Sequence, residues 1–373
     1  MKALVLKEKG VIEFVEKDEP TLSCQHGAIL KPVLVSPCTS DVHTIWQGSP
    51  KKKNLTLGHE CVAQVAEIGN GVKDFCVGDI VAVPAITPDW SQQDVNENPA
   101  HAGENFSAHM LGKSIDGAFQ EAFYIPYADK NLAHIPTNVT LEQALMCVDV
   151  VSTGFTAAEE ANIKQGDTVV VMGIGAIGLA AIMGAYFYGA AKVYAVGSRE
   201  ENVKIAESLG AEVINYKILK CALPNGMHPN ANSTNSAVVN YVLTKTNTKG
   251  ADCVLICGGN DLSFPQAVDM VKYGTGIVSN VMYFGAVPGE HENGIDAIQI
   301  PKFSIGRGMA GKTLKFSLAK GGRKRMEYLM NLCAEGKIHP EVFITKRYHG
   351  LENIDAAIYD MKSRSAIKIA VHM

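Results

Sequence analysis

No apolar run in this 373-residue chain is long enough to cross a membrane. No run of lysine and arginine is long enough to give a nucleic acid its usual basic footprint. Charge is sparse: 19% of residues are charged against 47% apolar, and the formal net charge is only -4. That balance excludes a disordered chain and describes one that buries a core. The opening stretch, "MKALVLKEKGVIEFVEKDEP", lacks the apolar segment and small-residue cleavage site of an export leader, so it is expected to be mature sequence. The nine cysteines show no paired framework. Scattered through apolar segments of a chain this size, they point to reduced thiols and a cytoplasmic location.

A chain of 373 residues is too long for one core of usual size, so two domains are expected. Up to about residue 150 the chain reads as short strands and turns, with "GAILKPVLVS" and "CVAQVAEIG" at strand length and glycine punctuation in "GNGVKDFCVGDIVAV". A compact, barrel-like β domain is expected there. Residues from about 89 to 116 are polar and weakly periodic, a long loop of the kind that carries function. Near residue 153 the pattern changes to strands alternating with helices, the mark of parallel βαβ units. Proline, asparagine, serine and glycine from about 223 to 236 predict an exposed insertion. After about 312 come a strand, "KTLKFSLA", a helix closing at Gly336, a short helix and a final apolar strand expected to return to the first domain. No internal repeat is evident.

Gly173, Gly175 and Gly178, with Ala176 and Ile177 between the last two, spell G-x-G-x-x-G. Alone the pattern is weak; here it follows "TVVVM" and opens an apolar helix, the context of a dinucleotide site. The first glycine allows the tight turn, the second a close approach of backbone to pyrophosphate, the third helix–strand packing. About 20 residues on, NAD enzymes place an acid against the ribose 2'-hydroxyl. This chain has Gly197, Ser198 and Arg199 there. No carboxylate repels a 2'-phosphate, and a hydroxyl and a guanidinium offer donors to it, so NADP(H) is expected.

Cys38, His59 and Asp149 can supply the thiolate, imidazole and carboxylate of a catalytic zinc site, with Glu60 as a possible fourth ligand. They lie too far apart for any compact zinc-finger spacing. Each alone has an ordinary explanation: a buried thiol, a hydrogen-bonded histidine, a helix cap. Neighbours on a strand point to opposite faces, so His59 and Glu60 share one metal only if the chain bends. Gly58 makes a bend cheap; otherwise Glu60 acts behind the ligands or moves in when the substrate site is empty.

Together "PCTSDVHT", "LGHE", "VGDIVAV", "VPAITPDW", "DVVSTGF" and "GIGAIGL" resemble the zinc-dependent medium-chain alcohol dehydrogenase family. "NLAHIP", "AVGSR" and "INYK" are similar to its NADP-dependent secondary alcohol branch. The likeness covers the chain apart from an insertion around 218–236. It implies an α/β protein: a GroES-like β-barrel catalytic domain of residues 1–152 and 318–373, and a Rossmann domain, a doubly wound parallel sheet, of residues 153–317. It implies one catalytic zinc on Cys38, His59 and Asp149 with Glu60 adjacent, a proton relay through Ser40 and His43, and an adenosine-phosphate pocket of Gly197, Ser198, Arg199 and Tyr216. A homotetramer is implied as well.

Three departures stand out. The loop near residue 100 has none of the four cysteines that hold a structural zinc in many relatives, so no second zinc is expected. His109 stands where the branch tends to have tryptophan, and Ala319 where it has cysteine. Ala85, His109, Tyr283 and Leu318 are the expected pocket wall, suited to short secondary alcohols and ketones. The expected reaction is hydride exchange between such an alcohol or ketone (aldehydes included) and NADP(H), with zinc as Lewis acid. A polyol or aldehyde dehydrogenase of the same family is the alternative, and a non-catalytic NADPH-binding protein a remoter one.

Overall fold

The strand that ends the chain lies beside one near its beginning. Lys368–His372 pairs antiparallel with Ala28–Val35, matching Val371 to Val35 and His372 to Leu34. The computed structural model describes residues 1–47, 53–88, 90, 111–221, 236–282 and 306–373. They form two units: Met1–Ser152 with Ala319–Met373, and Thr153–Leu318. Most of the polar loop from 89 to 116 and of the 223–236 segment lies outside the described residues. Among those described, no helix is long and apolar enough to cross a membrane.

The first unit is built on β-structure. Val11–Glu16, Lys2–Glu8 and Leu55–Thr56 form one small antiparallel sheet. A seven-stranded sheet runs Ile344–His349, Lys368–His372, Ala28–Val35, Cys61–Ile68, Ile80–Val83 and Ala133–His134, with Phe123–Ile125 also pairing Ala28–Val35. Ala28–Val35 contains Pro32, which cannot donate to the ladder; the register shifts between Pro32 and Leu34, so the proline stands at an irregularity, where sheets tolerate it. Leu30, Val35, Phe119, Phe123, Ile358 and Ile369 are fully buried in the core of this unit. Each such side chain contributes roughly 1.5–3 kcal/mol of burial.

The strand-and-turn reading of the first 150 residues missed several helical segments, two of which lead into the candidate site. Thr39–Trp46 is a helix capped at Cys38, with the Asp41 carboxylate accepting from the Cys38 N–H. Leu141–Met146 is capped by Thr140, whose hydroxyl accepts from Gln143 N, and it runs directly into a π-helical turn, Cys147–Val151. Both starts are set by a cap and an N3 side chain rather than by a long apolar stripe, which is why periodicity did not reveal them.

The second unit carries a six-stranded sheet in the order Glu212–Ile214, Lys192–Val196, Thr168–Met172, Cys253–Ile256, Ile277–Asn280, Thr313–Phe316. Every pairing is parallel. The strands "VVVM" and "CVLI" are buried residue after residue, as strands covered on both faces must be. The strand order is that of a doubly wound nucleotide-binding sheet, with Thr168–Met172 first in sequence and central in space.

Candidate active site

Leu55–Thr56 and Cys61–Ile68 are separate strands, and His59 and Glu60 occupy the link between them. Gly58 has φ +95°, in the left-handed region, and a Cβ there would come within 2.4 Å of the Phe119 ring. Only glycine turns the chain here at no cost, and the turn frees His59 and Glu60 from strand alternation. Cys38 comes from the cap of Thr39–Trp46, and Asp149 from the π-helical turn, a rare geometry often found at functional sites.

These four residues meet. Cys38, His59, Glu60 and Asp149 each offer a donor atom within 4.8 Å of the others. Asp149 Oδ2 lies 3.7 Å from Cys38 Sγ and 3.7 Å from His59 Nε2. Tetrahedral zinc with bonds of roughly 2.0–2.3 Å sets its ligand atoms about 3.3–3.8 Å apart, so the set fits zinc. Glu60 adds a second sign of a cation. Its Oε1 accepts from Lys368 Nζ at 2.6 Å, while its Oε2 is buried with no hydrogen-bond partner among the described residues. A buried carboxylate oxygen left unpaired costs free energy, which a nearby cation would recover.

Asp41 was not singled out in the sequence, yet it holds two of the candidate ligands at once. Its Oδ2 accepts from Cys38 N–H at 2.9 Å, and its Oδ1 lies 3.3 Å from His59 Nδ1. That leaves His59 Nε2 facing Asp149, the arrangement in which a carboxylate fixes a ligating imidazole. The signal was present as the Cys38-x-x-Asp41 spacing of a capping box. Lys368 was missed too. It is 2% exposed, donates to Pro37 O at 3.0 Å, and is the one charged side chain in the strand Lys368–His372. A lysine in an apolar strand requires a buried partner, and here that partner is Glu60.

The titration behaviour follows from this packing. Burial alone would depress the His59 imidazolium, but the Asp41 charge and the hydrogen bonds the ring donates to Asp149 and Asp41 outweigh it and raise its pKa well above the usual histidine value. Asp41 is burdened by burial yet held below the usual carboxylate range by His59. Burial lifts Glu60 to about 7, against the pull of Lys368. A divalent cation in the cluster would reverse that last tendency and favour the carboxylate.

Ser40 and His43 lie three residues apart on Thr39–Trp46. Ser40 Oγ is 3.0 Å from His59 Nε2, and His43 Nδ1 is 2.6 Å from Gln47 Oε1. Ala85 is buried, and its N–H donates to Val148 O in the π-helical turn. Leu318 ends the second unit and is exposed; His109 and Tyr283 lie outside the described residues.

In the second unit the three fingerprint glycines differ in what surrounds them. Gly173 has φ +83°, and a Cβ there would strike Gly258 Cα at 2.5 Å. Gly178 allows a turn so close that a Cβ would sit 1.9 Å from Gly173 O. A Cβ on Gly175, the cap of helix Ala176–Phe187, would meet nothing within 4 Å, so this is the open side where a phosphate can approach the helix N-terminus. Ser198 and Arg199 are half-buried and Tyr216 is exposed. Sequence reasoning missed two further members. Asn202 donates to Ile174 O at 2.6 Å, fixing the fingerprint loop to helix Glu200–Ser208. Ile174 fills the space beside Gly197, where a Cβ would fall 2.0 Å from Ile174 Cγ1.

Residues 25–137 match the model of the alcohol dehydrogenase GroES-like domain, and residues 176–332 that of the zinc-binding dehydrogenases. The chain belongs to the zinc-binding, medium-chain alcohol dehydrogenases. It is 40% identical over 369 residues to the NADP-dependent isopropanol dehydrogenase of Entamoeba histolytica, covering 98% of this chain and 93% of that protein. It is 39% identical to the enzyme of the same name from Clostridium beijerinckii and 38% to that from Thermoanaerobacter brockii, each covering 98% of this chain and 97% of the relative. Among solved structures, alcohol dehydrogenase TADH from Thermus sp. ATN1 superposes with a TM-score of 0.80 at 26% identity, covering 100% of this chain and 99% of that one.

Proposed function

We propose that this chain is an NADP(H)-dependent zinc alcohol dehydrogenase that interconverts small secondary alcohols with their ketones, aldehydes being further substrates. The observation that carries the reading is the convergence of Cys38, His59 and Asp149, with Glu60 beside them, around one point. The unit Met1–Ser152 with Ala319–Met373 is the catalytic body, and Thr153–Leu318 the cofactor body. The names of relatives at 38–40% identity support NADP and a secondary alcohol. Gly197, Ser198, Arg199 and Tyr216 take the 2'-phosphate, and Gly173, Gly175, Ala176, Ile177 and Gly178 the pyrophosphate.

Cys38, His59 and Asp149 hold one zinc per chain. Bound there, zinc supplies Lewis acidity towards the alcohol or carbonyl oxygen. The protein's own residues do the rest. Asp41 holds His59 with Nε2 inward and keeps Cys38 at the start of its helix. Lys368 holds one oxygen of Glu60, which leaves the other free to serve as a displaceable ligand. Ser40 presents a hydroxyl beside His59 Nε2, and His43, on the same helix, passes the proton towards solvent. Ala85, buried beside the π-helical turn, bounds the substrate on the catalytic body. The reading extends to a cytoplasmic homotetramer acting on a small molecule, with no nucleic-acid or membrane partner.

The test is a steady-state screen of short ketones and aldehydes with NADPH and NADH, before and after chelation. Ketone-dependent NADPH oxidation should exceed NADH oxidation at least about 10-fold in kcat/KM, vanish with the metal and return with about one zinc per chain. Full turnover by metal-free protein would overturn the reading.

A further inference from the structure

Cys147 and Cys333 stand 186 residues apart in the chain, yet their Sγ atoms lie 3.7 Å apart. Both belong to the first unit and both are buried, at 0% and 5% exposure. Cys147 opens the π-helical turn that carries Asp149, and Cys333 is the penultimate residue of helix Arg323–Ala334. Two such sulfurs need to close by less than 2 Å to reach the bond length of about 2.05 Å. The two backbone segments that bear them already face each other across a packed core.

We propose that Cys147 and Cys333 are a latent disulfide, closed by a peroxide-class oxidant. In the first step one thiol sulfur attacks peroxide: an S–O bond forms, the O–O bond breaks, and the products are a sulfenic acid and water. In the second, the other thiol sulfur attacks the sulfenic sulfur: the S–S bond forms, the S–O bond breaks, and a second water leaves. Two thiols are oxidised by two electrons, one peroxide is reduced, and both thiol protons depart in water.

Burial sets the pace. Fast redox sensors are exposed, whereas oxidant reaches this pair only when the unit opens locally, so closure is slow. The product is therefore a staple rather than a rapid signal. Its ring encloses the whole of Thr153–Leu318, because that unit is inserted between the two cysteines. Closing so large a ring removes much of the freedom of the unfolded chain, and the linked form resists unfolding.

The test treats zinc-loaded protein with excess hydrogen peroxide for hours, then unfolds, alkylates, digests and maps it by mass spectrometry. Cys76 is exposed and reports that the oxidant acted. The expected product is a Cys147–Cys333 linked peptide, lighter by two hydrogens, with Tm raised by at least about 4 °C and lowered again by dithiothreitol. Cys333→Ala and Cys333→Ser should both lose the linked peptide and the Tm rise; two variants are used because a buried hydroxyl can itself destabilise. Recovery of Cys147 and Cys333 as alkylated thiols while Cys76 is oxidised would overturn the proposal. So would a Tm rise that persists in both variants.

Discussion

Asp41 shows how one side chain can set the quality of a site it never enters. It accepts from the Cys38 N–H and faces His59 Nδ1, so two ligands depend on one carboxylate. Removing such a partner typically costs 10–100-fold in metal affinity. Asp41→Ala is expected to weaken zinc binding by about that factor in a competition with a chromophoric chelator, and Asp41→Asn, which keeps an acceptor, by less. Equal affinity in Asp41→Ala and the parent would remove Asp41 from this role. At the cofactor loop the telling residue is Ile174, which occupies the space a side chain at 197 would need. Gly197→Asp alone should therefore impair both NADPH and NADH, at least about 10-fold in kcat/KM, through displacement of the loop. Gly197→Asp with Ile174→Ala should relieve the clash and shift preference towards NADH by about 10-fold or more. A single Gly197→Asp variant that already prefers NADH would show that Ile174 is no obstacle.

At the scale of elements, stability is spread among small networks. Glu212, on the edge strand Glu212–Ile214, accepts from Tyr241 at 2.5 Å and pairs with Lys192 at 2.7 Å and Lys245 at 3.2 Å. The Lys192 hydrogen bond above all, then Tyr241, holds its carboxyl down at about 2, from 4.5. A depressed acid stabilises the fold above its unfolded value and loses that contribution as pH falls through its folded value. The side chain is 29% exposed, so screening keeps the effect small, below about 1 kcal/mol. Glu212→Gln should lower Tm by about 1–3 °C at pH 7, and the gap to the parent should shrink as pH falls from about 4.5 towards 2. A gap that widens in that interval would contradict the pairing. The π-helical turn belongs to this scale as well. It carries Asp149 towards the other ligands, and nothing in "MCVDVVSTGF" distinguishes it from plain helix. The extra residue of a π turn is fixed by what packs around it and has no periodicity of its own.

At the scale of the whole molecule, the chain leaves its first unit at residue 152, completes a parallel sheet, and returns at 319 to finish the unit it began. The return has a chemical consequence, because Lys368 in the last strand supplies the counter-charge of Glu60 near the beginning. What the sequence determined by itself is what local pattern encodes: strands alternating with helices, a glycine fingerprint whose context is contiguous, and an absent acid at Gly197. What only the tertiary structure decided is what long-range proximity encodes. It joined Cys38, His59, Glu60 and Asp149, gave Asp41 and Lys368 their partners, set Ile174 against Gly197, and brought Cys147 to Cys333. The reason is physical. A turn or a helix start is fixed by neighbours within a few residues, whereas donor atoms 111 residues apart meet only once the core between them has formed.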